Sequence, residues 1–232
     1  MPAVTPASTT EQGRTTRHRI VEAAATLIGE RGVAATSLDD VRAATNSSKS
    51  QLYHYFGDKH GLVEAVIDHQ SALVIATQSR ALGAVDDWQG LERWADAMVA
   101  MLERRGAHGG CPIGTLAAAL ADSDEQFRTV LGDAFDAWSE AISAALVRLR
   151  DNRLLAADAD IRTLSTATLA SIQGGLLLAK TSRDSSQLRA ALDGALAQLR
   201  THAVPSSRRR RAGRARLFDR TRAGHRKGSD GS

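Results

Sequence analysis

Apolar residues recur along most of this chain at three- and four-residue spacing and seldom alternate, which is the period of helices that bury one face. Between Arg14 and Arg31, Ile20, Ala24, Leu27 and Ile28 fall on one side, and Gly32 follows as a C-terminal cap. Leu38, Val41 and Ala44 mark the buried face of a shorter second helix. Ser37 opens it in a capping box with Asp40, and Asn46, among the few residues that tolerate a left-handed backbone, ends it. Ser48 and Gln51 repeat the capping signature, and a third helix runs to Phe56, where Gly57 and the new cap Asp58 close it. Leu52 and Phe56 supply the apolar side of that helix, leaving Lys49, Ser50, Gln51, Tyr53, His54 and Tyr55 outward.

The pattern then predicts longer helices. One spans Asp58 to about Ala81, with Leu62, Val66, Leu73 and Ile75 recurring along it, and Gly83 to Asp87 is a break. Trp88 to Arg105 carries Leu91, Trp94, Ala95, Met98, Met101 and Leu102 at helical spacing. A Gly-rich loop from Gly106 to Cys111 leads to a short Ala-rich helix from Ile113. Phe127, Leu131, Phe135, Trp138, Ile142 and Leu146 form the stripe of a helix from Asp124 to about Arg150. The last two helices run roughly from Asp160 to Thr181 and from Ser185 to Thr201. Leu188, Leu192, Ala195, Leu196 and Leu199 make one stripe, and Leu164, Ala167, Ser171, Gly174, Gly175 and Leu178 a small-residue surface where backbones can approach closely. Both faces suit either a dimer interface or the core of a monomer. The expectation is an all-α chain: an N-terminal three-helix helix-turn-helix domain over 14–60, then a helical regulatory and dimerisation domain over 61–203. Residues 1–13 are expected to be a disordered N-terminus and 204–232 a basic, disordered tail.

Composition narrows the function classes. A 43% apolar content over 232 residues supports a real core, aromatics are only 4%, and nothing suggests a parallel-sheet enzyme. The single cysteine excludes an intrachain disulfide and suits a reducing compartment. With no secretory h-region in MPAVTPASTTEQG and no run of membrane-spanning length, a cytoplasmic protein is expected. Charge is unevenly placed. Residues 205–232 hold ten Lys or Arg against two Asp, a net +8, so residues 1–204 carry 20 minus 24, or −4, within the +4 total. Residues 14–60 are modestly positive, with seven Lys or Arg and five acids, which would keep DNA at one end of an otherwise acidic body.

The third helix, roughly 13 Å long at 1.5 Å per residue, fits a major groove about 12 Å wide. Two tyrosines, a lysine and an amide are seldom left together on a surface without use, and phenol and imidazole are good phosphate donors. Gln51 is the best candidate for base reading, since an amide can pair bidentately with adenine. Trp94, Met98, Met101, Phe135, Trp138 and Gln173 are candidates for an apolar effector pocket, or else core. His108 and Cys111 are too few for a zinc site, so no metal or other cofactor is expected. Cys111, near a helix start, is read as an inert thiol. The seven histidines and scattered acids form no nucleophile, base and orienter set, so an enzyme is not expected.

The run from Arg17 to Leu62 resembles the DNA-binding domain of TetR-type transcriptional regulators. The resemblance is carried by Thr36-Ser37-Leu38, Val41, Ala44, Ser48-Lys49, Leu52-Tyr53-His54-Tyr55-Phe56, Asp58-Lys59 and Leu62. That family usually has glycine then valine at the turn, where this chain has Asn46 and Ser47, and the serine is expected to lose a small core contact. Gly109 to Asp122 and Ser171 to Leu199 are similar to the C-terminal domain of the LmrA/YxaF-like subgroup. The resemblance implies a bacterial regulator on double-stranded operator DNA, a homodimer through the last two helices, and an unknown small-molecule effector of apolar or aromatic character. It also implies that Lys49, Ser50 and Gln51 approach base edges or flanking phosphates, that Thr36 and Ser37 touch phosphate, that Ser48 is among the DNA-binding residues, and that Lys59 clamps the backbone. Two alternatives stay open: a nonspecific nucleoid-type protein relying on the Arg-rich tail, and a small-molecule-binding helical protein with a vestigial DNA domain.

A basic tail of this kind suits diffuse attraction to phosphates rather than folding, with a +8 charge in 28 residues. Truncation after Val204 is expected to leave folding, dimerisation and operator choice intact while lowering affinity for random DNA and flattening its salt dependence. Loss of operator choice at matched salt, measured by titrating operator and random duplexes in parallel, would make the tail part of specific recognition.

Overall fold

The computed structural model describes residues 10–205, and among them the chain is all-helical. In order, the helices are α1 (Glu11–Arg31), α2 (Leu38–Thr45), α3 (Lys49–Phe56), α4 (Lys59–Gly83), α5 (Trp88–Arg104), α6 (Pro112–Leu120), α7 (Glu125–Asp151), α8 (Ile161–Ser182) and α9 (Ser186–Thr201). The tail expected from 204 onward lies outside the described residues except for Val204 and Pro205, and the disorder expected over 1–9 lies outside them too. Residues 11–13, expected within a disordered N-terminus, belong to α1, because the Thr10 hydroxyl accepts from the Gly13 amide at 3.2 Å and starts the helix earlier.

Helix starts follow local capping chemistry. Ser37, Ser48, Asp58, Asp87, Asp124 and Asp160 each accept an amide that the first helical turn leaves without a partner. The carboxylates answer to their partners: Asp124 is held below the usual carboxylate range first by the Phe127 amide, and Asp160 first by the Thr163 hydroxyl and then by the Thr163 amide.

Packing runs outward from α4. Its N-terminal part lies against α1 and α3, while α5, α6 and most extensively α7 pack on it beyond that, α8 covers α7, and α9 pairs with α8 and α5. Polar contacts tie the layers. Trp94 Nε1 donates to Gln78 Oε1 at 2.9 Å between α5 and α4, and the fully buried Ser165 on α8 meets Ser143 and Ser139 on α7 at 2.8 and 3.2 Å. Arg148 donates to the Leu82 and Val85 carbonyls at the end of α4. After α9 the chain closes back on the α7–α8 connection, with Ala156 N donating to His202 O at 2.8 Å and Val204 N to Leu154 O at 2.9 Å.

Several expected faces differ. In α2 it is Thr45, not Ala44, that is buried beside Val41. Leu73 is exposed, although its spacing suggested a buried position, and Leu178, on the small-residue face of α8, is exposed as well. The α9 stripe of Leu188, Leu192, Ala195, Leu196 and Leu199 is buried within the chain, and Gly175 faces it rather than another protomer. A Cβ on Gly175 would stand 2.8 Å from Ala191 Cβ and 3.0 Å from Leu188 Cα, so backbone proximity between α8 and α9 depends on glycine there.

Gly175→Ala is therefore expected to destabilise the fold by about 1–3 kcal/mol through overpacking. That should outweigh the helix-propensity gain of about 1 kcal/mol. Gly29→Ala, at an exposed α1 position with nothing within 4 Å, should instead stabilise by about 0.5–1 kcal/mol. Urea unfolding of both variants checks the pair; equal stabilisation would contradict the close α8–α9 approach.

Candidate nucleic-acid interface and ligand cavity

The α2–turn–α3 unit is held by two reciprocal capping boxes. Ser37 N donates to Asp40 Oδ2 at 2.8 Å and Asp40 N to Ser37 Oγ at 3.1 Å; Ser48 N donates to Gln51 Oε1 at 2.9 Å and Gln51 N to Ser48 Oγ at 3.1 Å. Hydrogen bonds from Ser37 hold the Asp40 carboxyl below its ordinary range. Asn46 takes the left-handed conformation expected of it, φ 51° and ψ 35°. Ser47 is buried, and its hydroxyl lies 2.9 Å from Thr45 Oγ1, which itself donates to Val41 O at 2.7 Å. Ser47 accepts from the Thr45 hydroxyl, so the serine exchanges an apolar contact for a buried polar one. From α1, Arg19 Nη1 reaches the Thr45 carbonyl at 2.5 Å and fixes the end of α2 against the supporting helix.

This geometry turns one face of α3 outward. Lys49, Ser50, Gln51, Tyr53 and His54 are exposed, while Leu52 and Phe56 are buried. Lys49 Nζ sits 5.8 Å from the Tyr53 ring centre, a cation–π approach that gathers both at the start of the face. Tyr55 is only half-buried, packs against the core and meets the His54 ring edge-on at 5.3 Å, so it belongs to the flank of the surface. Ser37 and Ser48 are exposed at the helix starts. Thr36 is a correction: expected at phosphates, it is 3% exposed, and its hydroxyl donates to Gly32 O at 2.9 Å. A side chain needed to anchor the α1–α2 connection is not available to a ligand.

At the end of α3 the chain turns at once into α4. A Cβ at Gly61 would lie 2.1 Å from the Phe56 carbonyl oxygen, so only glycine permits the junction. Lys59, half-buried, opens α4. Beside it, His60 Nε2 lies 2.9 Å from Asp124 Oδ2, and its ring stacks on Phe127 at 4.3 Å and 17°. Gln126 donates to Glu64 at 2.7 Å on the same seam. This link between the start of α4 and the start of α7 is absent from the sequence reading, because no local motif connects residues 64 positions apart.

The candidate effector residues divide. Met98, Met101 and Trp138 line a cavity of about 190 Å³ between α4, α5, α7 and α8. Phe135 and Gln173 line a neighbouring groove of about 430 Å³ between α6, α7 and α8. Trp94 lines neither and serves the α4–α5 contact. Gly110, Cys111 and Leu176 are common to both walls. Burial pushes the Cys111 thiol above its ordinary value, despite a 3.4 Å hydrogen bond from Gly114 N, which is the environment of an unreactive cysteine. Among the described residues, no three His, Cys, Asp or Glu side chains gather as a metal site, and no helix is long and apolar enough to cross a membrane.

Comparison with known proteins agrees with this architecture. Residues 20–66 match the family described as bacterial regulatory proteins, tetR family, and residues 88–194 match the C-terminal domain of LmrA/YxaF-like transcriptional regulators. An uncharacterized HTH-type transcriptional regulator in the lacX 3' region of Lactococcus lactis is 30% identical over 188 residues, covering 78% of this chain and 91% of that protein. The HTH-type transcriptional repressor DhaR of a Mycobacterium species is 24% identical over 170 residues, covering 72% and 84%. In fold, the chain is similar to a TetR-family regulator from Cytophaga hutchinsonii, with a TM-score of 0.75 at 19% identity over 85% of this chain and 99% of that one.

The α4–α7 seam should respond to pH. Asp124 is held below its ordinary 3.8, first by the Phe127 amide and then by His60. A carboxyl whose folded value is lowered contributes stability above its unfolded value and loses it as pH falls through the folded value. Asp124→Ala is thus expected to melt below wild type at neutral pH, with the gap closing as pH drops beneath 3.8. A gap that stays constant into acid, for as long as both proteins remain folded, would remove the Asp124 charge from the seam.

Proposed function

The chain belongs to the TetR family of bacterial transcriptional regulators, with a regulatory region of the LmrA/YxaF-like kind, and on that premise we propose that it is a homodimeric repressor released from its operator by a small molecule. The observation that carries DNA recognition is the exposed face of α3, aimed by the Ser48–Gln51 capping box and backed by Leu52 and Phe56. Gln51 reads the base. Its Oε1 already accepts from Ser48 N, but an amide oxygen has a second lone pair, and Nε2 remains a donor, so an adenine edge can be met without undoing the cap. Lys49, Ser50, Tyr53 and His54 surround it as phosphate or base-flank contacts, Ser37, Ser48 and Tyr55 lie at the margins, and Lys59 at the start of α4 meets the backbone.

Dimerisation falls to the outward faces of α8 and α9, since their inward faces are spent within the chain. Ala170, Gly174, Leu177 and Leu178 on α8, and Ala190, Gly194 and Ala197 on α9, are exposed and small or apolar. A pair of such hairpins would form a four-helix contact and place two α3 helices in successive major grooves, about 34–36 Å apart. The cavity touches α4, α5, α7 and α8, and α4 carries Lys59 and the α3 junction. A ligand that prefers another setting of α4 lowers DNA affinity by reciprocal coupling. The similarity to DhaR, a repressor, supports repression rather than activation.

Anisotropy titrations on duplexes from the region upstream of the chain's own gene test this reading. Gln51→Ala should cost about 1–3 kcal/mol and relax preference at one or two symmetric positions. Lys59→Ala should weaken binding to all sequences and make the salt slope shallower by about one unit for each phosphate no longer neutralised. Equal weakening by Gln51→Ala on specific and random DNA would refute base reading, and an unchanged slope for Lys59→Ala would take that residue off the DNA-facing surface.

A further inference from the structure

The cavity beneath Met98, Met101 and Trp138 has a one-sided polarity. Its wall is mainly apolar, with one cation, Arg105, and no carboxylate. Arg105 is exposed at that wall, and its guanidinium has no ion-pair or hydrogen-bond partner among the described residues. The adjoining groove repeats the pattern, with Lys180 as its one charged residue and again no acid. Two donors buried behind these walls, Trp138 Nε1 and Gln173 Nε2, lack a nitrogen or oxygen acceptor, but neither atom is open to the cavity. Positive charge without negative at an apolar wall describes a site suited to an acidic molecule.

Size adds a second restriction. About 190 Å³ exceeds only modestly the engineered cavity of about 150 Å³ known to hold benzene. One substituted ring fills such a space, and Met98, Met101 and Leu102 offer the polarizable apolar contact that a ring takes. A cationic amphiphile would meet Arg105 with no carboxylate to receive it, and like charges at close range oppose binding.

We propose that the effector of this cavity is a small aromatic carboxylate, its ring between Met98, Met101 and Trp138 and its carboxylate on Arg105. This rests on the ligand-responsive reading above and names the chemistry of that response.

The test is calorimetric titration of the full chain with benzoate, 4-ethylbenzoate and 4-hydroxybenzoate, each paired with the corresponding benzylammonium. The acids should bind to wild type at least about tenfold tighter than their amines, the discrimination expected of a charge-assisted hydrogen bond. Arg105→Gln, at an exposed position that the fold does not use, should remove most of that difference. Amines that bind as well as acids, no acid binding, or an Arg105→Gln protein with undiminished preference would overturn the proposal. Operator release separates the two claims. Acids that bind through Arg105 yet leave operator affinity unchanged would support the site and overturn its regulatory use, whereas release by an amine and by no acid would overturn the ligand class and leave the regulator standing.

Discussion

The close approach of the Phe56 carbonyl to Gly61 joins the recognition helix to α4 without slack, and the arrangement of the rest follows from that junction. Because α3 ends where α4 begins, any rotation of α4 carries the exposed face of α3 with it. The same helix continues into the regulatory bundle, where α5, α6 and α7 pack on it and where Leu73, Val74 and Thr77 form part of the cavity wall. One 25-residue helix therefore touches both the candidate DNA surface and the candidate effector site. Close-packed interfaces of this kind switch between discrete settings rather than deform continuously, which suits transmission of a small ligand's presence over a long distance.

Capping does for direction what α4 does for coupling. An eight-residue helix such as α3 has too few internal hydrogen bonds to be stable alone, so its end contacts and its two buried residues decide whether and where it stands. Ser48 and Gln51 satisfy each other's backbone, Leu52 and Phe56 anchor the inner side, and Arg17 lies over the Phe56 ring at 5.4 Å. The outward face is then held by Leu52 and Phe56 beneath it and by the Ser48–Gln51 pair, of which Gln51 lies on the face itself. His60, Asp124 and Phe127 extend the same support from α4 to α7, joining the end of the DNA-binding unit to the helix that contributes Trp138 to the cavity.

Much of this is legible in the sequence because capping and periodicity are local. Helix order and most helix ends can be read from Ser37, Ser48, Asp58, Asp124 and Asp160, and the outward face of α3 from Leu52 and Phe56. What escapes has a common physical cause, a choice among partners that only packing makes. Thr36 carries a hydroxyl suited to phosphate or carbonyl, and the Gly32 carbonyl takes it. In a helix as short as α2, two or three apolar residues do not define a face, so Thr45 displaces Ala44. Helices α8 and α9 are apolar or small on both sides, and periodicity cannot say which side meets the neighbouring helix; Gly175 and Leu188 make intrachain contacts. Met98, Met101 and Trp138 are recognisable as a set, yet the separation of Phe135 and Gln173 into a second groove depends on the packing of α6 and α8, where Cys111, the cap of α6, and Leu176 of α8 line both spaces. The unpaired Arg105 is invisible for the opposite reason, since its significance lies in the carboxylates that are absent around it.

Symmetric, sequence-specific DNA recognition by the α3 helices of a dimer is the claim on which the proposed regulator stands. Selecting bound duplexes from a random-sequence library with the purified protein, then sequencing them, measures it with no operator sequence assumed. The expected outcome is a near-palindromic motif whose half-site centres lie about one helical turn of DNA apart or slightly more, roughly 34–36 Å. A library that emerges unenriched, or enriched only in composition with no twofold-related half-sites, would contradict it.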